Sequence, residues 1–447
     1  MTDSPVIIKR TRKTSEKSDF SFSEKDISVL DNADMMDLRR KAWQIYQATP
    51  FPTTAEEAWR RTDLSKLDKA SYHLPSDRDE IPALDKNLMH PLAGDIQDGQ
   101  VIIQPFQGEG TLAEMYIRQG VIFAPLKQAI EMYPELVRNK LGSIVPASDG
   151  KFAALNTALA DEGVFLYVPK GVCIDHPLHS IQWAGGEKTI HFTRLLIWLE
   201  EGADVTFVHE YASSNTLDED FMHSGVVEVF AGEEARLKFV ELQSWGSKVW
   251  NITHQRIITG ANAKVEVIFG ALGSQTTKDF TDFDLSGRGS SVKVSGFYFT
   301  DEDQHFDHDT QQNHFVPDTT SDLLYKGAVT GHSRSVWQGM IYVAPGAAKT
   351  DGYQANRNLV LSSTARADSI PGLEILADDV RCTHGATVGK IDPNLVFYLR
   401  SRGIPKADAE RLVVEGFFDP IMQRIPFEGV RERFQEAIKI KMKSFVG

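Results

Sequence analysis

The chain has 447 residues, 41% hydrophobic and 25% charged, a balance typical of soluble globular proteins and long enough for two or three domains. A formal net charge of −14 repels a phosphate backbone and disfavours general nucleic-acid binding, and no apolar run approaches the length needed to cross a membrane. Two cysteines exclude a disulfide scaffold and fit a reducing, cytoplasmic compartment.

Residues 1–20 lack an apolar signal core, and the basic run from Lys9 to Lys17 reads as part of a disordered, solvated tail. Residues 21–160 read as a helical and mixed domain. Between Ser23 and Leu67, Ile27, Leu30, Met35, Leu38, Ala42 and Ile45 fall on helical spacing. Pro50 and Pro52 break that run, and Thr53 or Thr54 can cap a second short helix carrying Glu56, Glu57 and Trp59. From Asp68 to about Gln97 no period is sustained. A helical hairpin is expected from Pro125 to Leu141 and from Lys151 to Leu159.

Residues 161–390 change texture. Short runs such as VFLYV, LLIWL, RLKFVEL and KVEVIFG recur between Gly, Asn, Asp and Ser, which marks many short strands. No helix long enough for a parallel-sheet crossover separates them, so a doubly wound fold is disfavoured. Gly202, Gly232, Gly260 and Gly287 each lead an alternating strand at a spacing of roughly 27–30 residues, within the range of stacked repeats. A β-solenoid is favoured over a sandwich with similarly spaced turns. Cys173, near Asp175 and His176, reads as a buried rung residue. The run QHFDHDTQQNHF offers His305, Asp307, His308, Asp309 and His314 as ligands for a metal, or as a hydrogen-bonding ladder along a rung edge. Strand alternation would put His305, Asp307 and Asp309 on one face and His308 on the other.

The stretch from Asp378 to Ile404 is the most informative. Cys382 and His384 stand at i and i+2, so in an extended segment they share a face, and thiol and imidazole suit iron, zinc or copper. Two ligands do not complete a structural metal site, and both residues could instead be ordinary packing groups. Asp392 as N-cap and Pro393 then open a helix. Residues 391–447 read as helical: a first helix closing at Gly403, a second opened by Pro405 and ending near Gly416, and a third after Pro426 with Val430, Phe434, Ala437, Ile438 and Lys441 on one face. Between the second and third, Phe417 and Phe418 flank an expected Asp419–Pro420 turn, open to a partner or packed on the β region. PGAAKT at Pro345 to Thr350 lacks the Gly-Lys pair of a P-loop, and no GxSxG, HExxH or CxxC occurs, so the chain has no evident ATP site of its own.

On QHFDHDTQQNHFVPDTTSDLLYKGAV, SVWQGMIYV, YQANRNLVLS, PGLEILADDVRCTHGATVGKID and LVFYLRSRGI, with PTTAEEAWRRTDL near the N-terminus, the chain resembles the SufB/SufD family of the SUF iron–sulfur cluster assembly complex, its SufD branch in particular. The resemblance spans residues from about 20 to 447. It implies a mainly β fold: a right-handed parallel β-helix flanked by N-terminal and C-terminal helical domains. It implies a non-catalytic scaffold that pairs with a SufB-type subunit through the β-helix and binds a SufC-type ATPase through its C-terminal helices, with Phe417 to Pro420 as the docking candidates. It implies a transient iron–sulfur cluster shared with the SufB-type subunit, held here by His384 of the CxHGAT motif, with Cys382 beside it. Asn356 stands where the SufB branch has a cysteine, which favours the SufD side. The isolated chain is expected to be capable of homodimerising. The competing expectation is a metal-dependent enzyme on the same scaffold, using His305, Asp307, His308 and His314.

Overall fold

A computed structural model describes residues 19–28, 35–89, 92 and 96–445. The basic tail and Leu30 lie outside the described residues. Among the described residues the strands form two sheets, one of ten strands and one of nine. From Glu162 to Lys390 the chain crosses from one sheet to the other at every corner, and each strand pairs in parallel with the strand one turn away. The result is a parallel β-solenoid of about 8 turns with helices at both ends. Thr276 lies beside His305, and His305 beside Arg334, a period of about 29 residues.

Stacking in register brings like side chains over like. On the inner face of the ten-stranded sheet, Phe207 lies over Phe239 with ring centroids 5.8 Å apart, and Leu237, Val265 and Val292 continue the neighbouring column. Each fully buried side chain of this size contributes about 1.5–3 kcal/mol. The outer faces are buried too. The helix Lys151–Leu159 is buried along its whole length against Ile190, Phe192, Met222 and Ile252 of the nine-stranded sheet. Phe418, Phe434 and Ile438 of the C-terminal helices cover Val208, Val240, Ile268 and Phe297 of the other. Strands buried on both faces read as near-continuous apolar runs, which is the texture seen from residue 161 onward.

The recurring glycines have a steric cause. A Cβ on Gly287 would fall 1.9 Å from the Gly260 carbonyl carbon, and one on Gly260 would fall 2.7 Å from that of Gly232. At Gly232, Gly260 and Gly287 the corner rests on the previous one and only hydrogen fits between them, whereas Gly202 is required by its φ of +66. Backbone bonds follow the same stack, from Gly202 N–H to the Glu233 carbonyl at 2.8 Å, and from Glu234 N–H to Ala261 at 2.8 Å.

The strands Gly99–Gln104 and Gln107–Leu112 form an antiparallel hairpin on one end, and Ile122–Pro125 closes the other sheet there by pairing with Glu162–Val168. The expected N-terminal helices are Glu24–Ser28 and Met36–Ala48, with a single 3-10 turn at Glu57–Trp59. The expected hairpin is broken into Leu126–Met132, Pro134–Arg138 and Lys151–Leu159. At the C-terminus, Asp392 caps Pro393–Ser401 by accepting from Asn394 N–H at 2.9 Å, and Gly403 closes it at φ +88. The expected Asp419–Pro420 turn is absent: the helix Lys406–Met422 runs through it. Phe418 is fully buried with its ring 4.9 Å from Phe434, and that packing outweighs the N–H lost at Pro420. Lys326 Nζ also donates to the Phe417 carbonyl at 2.5 Å. In the helix Glu428–Phe445, Val430, Phe434, Ile438 and Lys441 are buried, the face the spacing anticipates.

Two glycines separate steric need from chain flexibility. Gly287→Ala is expected to cost about 1–3 kcal/mol through the corner clash, whereas Gly416→Ala, in open helical space, should gain about 0.5–1 kcal/mol. Urea unfolding of both variants against the parent measures the contrast.

Candidate functional site

The last turn of the solenoid consists of Arg366–Ile375 and Arg381–Lys390, the end strands of the two sheets. Each pairs on one side only, with Arg334–Val343 and Asp351–Val360 respectively. One row of N–H and C=O groups in each strand is therefore unpaired within the sheets. Side chains along both strands are exposed or half-exposed, including Leu373, Ile375 and Val388, whereas the preceding turns are largely buried.

Register positions the candidate ligands. Cys382 lies beside Gly352 and His384 beside Gln354, so both belong to the inner face at the open mouth of the solenoid. Gly352 leaves room for the thiol: a Cβ there would be 3.3 Å from Cys382 Sγ. Cys382 is half-buried against Ile341, Val343 and Val380. Burial pushes its thiol pKa up, while a backbone hydrogen bond with Gly352 pulls the other way. His384 is exposed. Beneath it Gln354 spans the two sheets, donating to the Gly372 carbonyl at 2.8 Å and to Gly339 at 3.4 Å. Asn356 is buried in a polar knot, donating to the Tyr298 hydroxyl at 3.3 Å and accepting from Asn358 and Ser369. A carboxamide fits that knot as both donor and acceptor.

The second ligand cluster is not assembled as a metal site. His305, Asp307 and Asp309 share the outer face, but Lys278 Nζ sits between the carboxylates, 3.0 Å from Asp307 Oδ1 and 2.8 Å from Asp309 Oδ2. Thr62 Oγ1 donates to Asp307 Oδ2 at 2.5 Å and lies 3.1 Å from His305 Nε2. An ammonium thus occupies the position a cation would need. His308 and His314 turn inward, His308 onto Asp279 at 2.9 Å and His314 between Thr319 and Ser321. Among the described residues no group of three or more His, Cys, Asp and Glu converges to hold a metal ion. Cys173 is exposed, not buried, because its neighbours Val172 and Ile174 take the inward positions.

Sequence reasoning missed a polar column inside the solenoid. Thr193 Oγ1 meets His223 Nε2 at 2.7 Å, His223 Nδ1 meets Asn251 at 2.7 Å, Asn251 reaches Asp279 at 3.5 Å, and Asp279 holds His308. Its signal was available: His223, Asn251, Asp279 and His308 recur at the solenoid period. Of the docking candidates, Phe418 is buried and Phe417 half-buried, while Asp419 and Pro420 are exposed. Exposed apolar side chains lie on the preceding helix instead, at Leu395, Phe397 and Tyr398. No described helix is long and apolar enough to cross a membrane.

Comparison with known proteins gives a consistent result. The family described as "SUF system FeS cluster assembly, SufBD core domain" matches residues 182–417, and "SufBD protein N-terminal region" matches residues 17–180. An "Iron-sulfur cluster assembly SufBD family protein" of Staphylococcus epidermidis is 29% identical over 430 residues, covering 92% of this chain and 90% of the relative. Similarly named proteins of Staphylococcus haemolyticus and Staphylococcus aureus are 28% identical over 424 residues and 29% identical over 430, with the same coverage.

The buried histidines make stability pH-dependent. Burial lowers His209, His223 and His254 to about 3, and His179, His305 and His314 to about 4. Their contribution is complete above the unfolded value of about 6.5 and is lost as pH falls toward the folded values. Burial raises Glu241 to about 8 and Asp309 to about 6, so these two oppose that trend, losing stability as pH rises. The imidazoles outnumber them. The unfolding free energy from urea titration should decrease from neutral pH to about pH 5, by on the order of 1 kcal/mol per pH unit for each excess proton taken up on unfolding.

Proposed function

This chain belongs to the SufBD family of the SUF iron–sulfur cluster assembly system, and from that membership we propose that it is the SufD-type subunit, a non-catalytic cytoplasmic scaffold. Residues 391–447 form its ATPase-docking domain, residues 161–390 its β-helix core and residues 21–160 its N-terminal domain. The core pairs through its last turn with a SufB-type subunit, and a nascent cluster forms at that junction as cargo. The carrying observation is the last turn itself: two unpaired strand edges and, on its inner face, one thiol and one imidazole with no further ligand among the described residues.

The physical argument joins these features. An open edge is relieved by adding strands from another chain. Thiolate and imidazole are iron–sulfur ligands, and two of them form part of a set that a second subunit completes. His384, exposed at the edge, is the primary ligand. Cys382 would lose its proton only on binding a cation, because burial favours the neutral thiol. Asn356, held by Tyr298, Asn358 and Ser369, lacks the thiolate of the SufB branch, so the main sulfur acceptor lies on the partner. The same edge would pair two copies of this chain by two-fold symmetry when that partner is absent. Lys278 between Asp307 and Asp309 argues against the metal-enzyme reading.

ATP hydrolysis is assigned to a SufC-type subunit docked on the C-terminal helices. Leu395, Phe397 and Tyr398 are the exposed apolar groups available for it, and Phe397 is 72% exposed. Aromatic anchors of this kind concentrate binding energy.

His384→Ala is expected to leave the multisubunit complex intact while lowering maturation of iron–sulfur enzymes in cells on the order of tenfold. Normal maturation in that variant would remove the role. Phe397→Asp combined with Tyr398→Asp should abolish co-purification of the ATPase without changing the melting of this chain. Full retention of the ATPase would move docking off this helix.

A further inference from the structure

At the end of the solenoid opposite the last turn there is a cavity of about 460 Å³, within the range of small-molecule sites, roughly 300–1,000 Å³. It forms where the Gly99–Leu112 hairpin, the Pro125–Lys127 corner, the end of the Lys151–Leu159 helix and the strand Ile190–Leu199 meet. Ile103, Phe106, Leu126, Leu159 and Phe192 supply apolar walls, and Glu162 and His191 stand together at a polar end.

That polar end holds a buried ring nitrogen without a hydrogen-bond partner among the described residues. His191 Nε2 lies 2.8 Å from the Gly185 carbonyl, which can only accept, so Nε2 carries the ring proton. The other ring nitrogen is Nδ1. It is buried, without a hydrogen-bond partner among the described residues, and 3.6 Å from Glu162 Oε2. The ring nitrogen and a carboxylate oxygen face each other. Gln182 donates to that same Oε2 at 3.1 Å, but its own Oε1 is buried and unpartnered among the described residues. No described lysine or arginine lies within 4.0 Å of Glu162: Lys127 and Arg39 both pair with Asp161, at 3.3 and 3.9 Å.

We propose that this cavity binds an organic cation, a protonated amine on an apolar body. The ammonium would donate to Glu162 and to His191 Nδ1, giving the carboxylate a positive charge and the buried nitrogen a partner. The apolar body would lie between Phe192, Leu159 and Ile103, with Phe106 at the mouth, where it is 59% exposed. The site is remote in the fold from Cys382 and His384. Its test reads small-molecule binding alone, so its outcome is independent of the scaffold role.

The experiment is calorimetric titration of the full chain with phenethylammonium and with its neutral match, phenethyl alcohol. The amine should bind saturably and more tightly than the alcohol by roughly tenfold or more. Glu162→Gln should bring the amine's affinity down to that of the alcohol. Phe106→Ala, at an exposed position that leaves the fold unperturbed, should weaken the amine through lost wall contact and tests the site even if Glu162→Gln fails to fold. Equal affinity for the two probes, no saturable binding of the amine up to millimolar concentration, or amine binding unchanged in both variants would overturn the proposal.

Discussion

In-register parallel pairing at a period of about 29 residues is the constraint from which the rest of this molecule follows. A slip of one residue would turn every inward side chain outward. The corners guard against it. Gly287 against Gly260, and Gly260 against Gly232, leave no space for a side chain, which pins the position of that corner in successive rungs. Because each solenoid strand pairs with the one a turn away, the pairing within the solenoid is non-local, and the fold depends on burying both sheet faces. Helices from the two ends of the chain do that on opposite sheets, through Phe152 and Leu155 on one and Phe418 and Phe434 on the other.

The interior is divided rather than uniformly apolar. Ile197, Val229, Ile257 and Phe283 stack along one half of the inner face of the nine-stranded sheet. The His223–Asn251–Asp279–His308 column runs along the other. Such a column contributes less to stability than apolar packing of the same volume, since each polar group must be stripped of water. Its value is specificity: a shifted register would break several buried hydrogen bonds at once, whereas an aliphatic stack tolerates sliding. The same logic explains why His305, Asp307 and Asp309, which look like ligands in sequence, form a closed network with Lys278 and Thr62. A buried carboxylate pair without a cation is costly, and here the chain provides its own.

What was legible in the sequence was what repeats or alternates. The glycine echo and the Val/Ile/Phe runs indicated a solenoid, and i, i+2 spacing indicated that Cys382 and His384 share a face. The opposed facing of His305 and His308 followed from the same alternation. What was not legible depends on contacts between distant segments. The hairpin at Gly99–Leu112 is short, and its second strand is polar and glycine-rich. The helix through Pro420 overrides a local turn signal because Phe418 is buried on the sheet. The exposure of His384 could not be read from its neighbours, because it depends on how many rungs precede and follow it. The Glu162–His191 cavity draws on six separate segments, from Asp26 to Phe192, so no window of sequence contains it.

The two ends of the solenoid are treated differently, and the contrast carries functional weight. One is closed by antiparallel strands of its own chain. At the other, the strand Arg381–Lys390 is followed at once by helices, yet the two longer ones pack across the ten-stranded sheet instead of folding over the open edge. A chain with enough helix to cap the edge leaves it bare, with Leu373, Ile375 and Val388 exposed beside His384. Unpaired backbone, uncovered apolar surface and the proposed ligand pair, Cys382 and His384, coincide in one turn. Under the proposed reading a single event resolves all three: a second solenoid end supplies the missing strands, covers the apolar groups and brings the remaining ligands. Burial raises the Cys382 thiol pKa, which disfavours the thiolate, and a neutral thiol is a poor ligand and a poor nucleophile. The chemistry would therefore be withheld from the lone subunit and enabled by assembly.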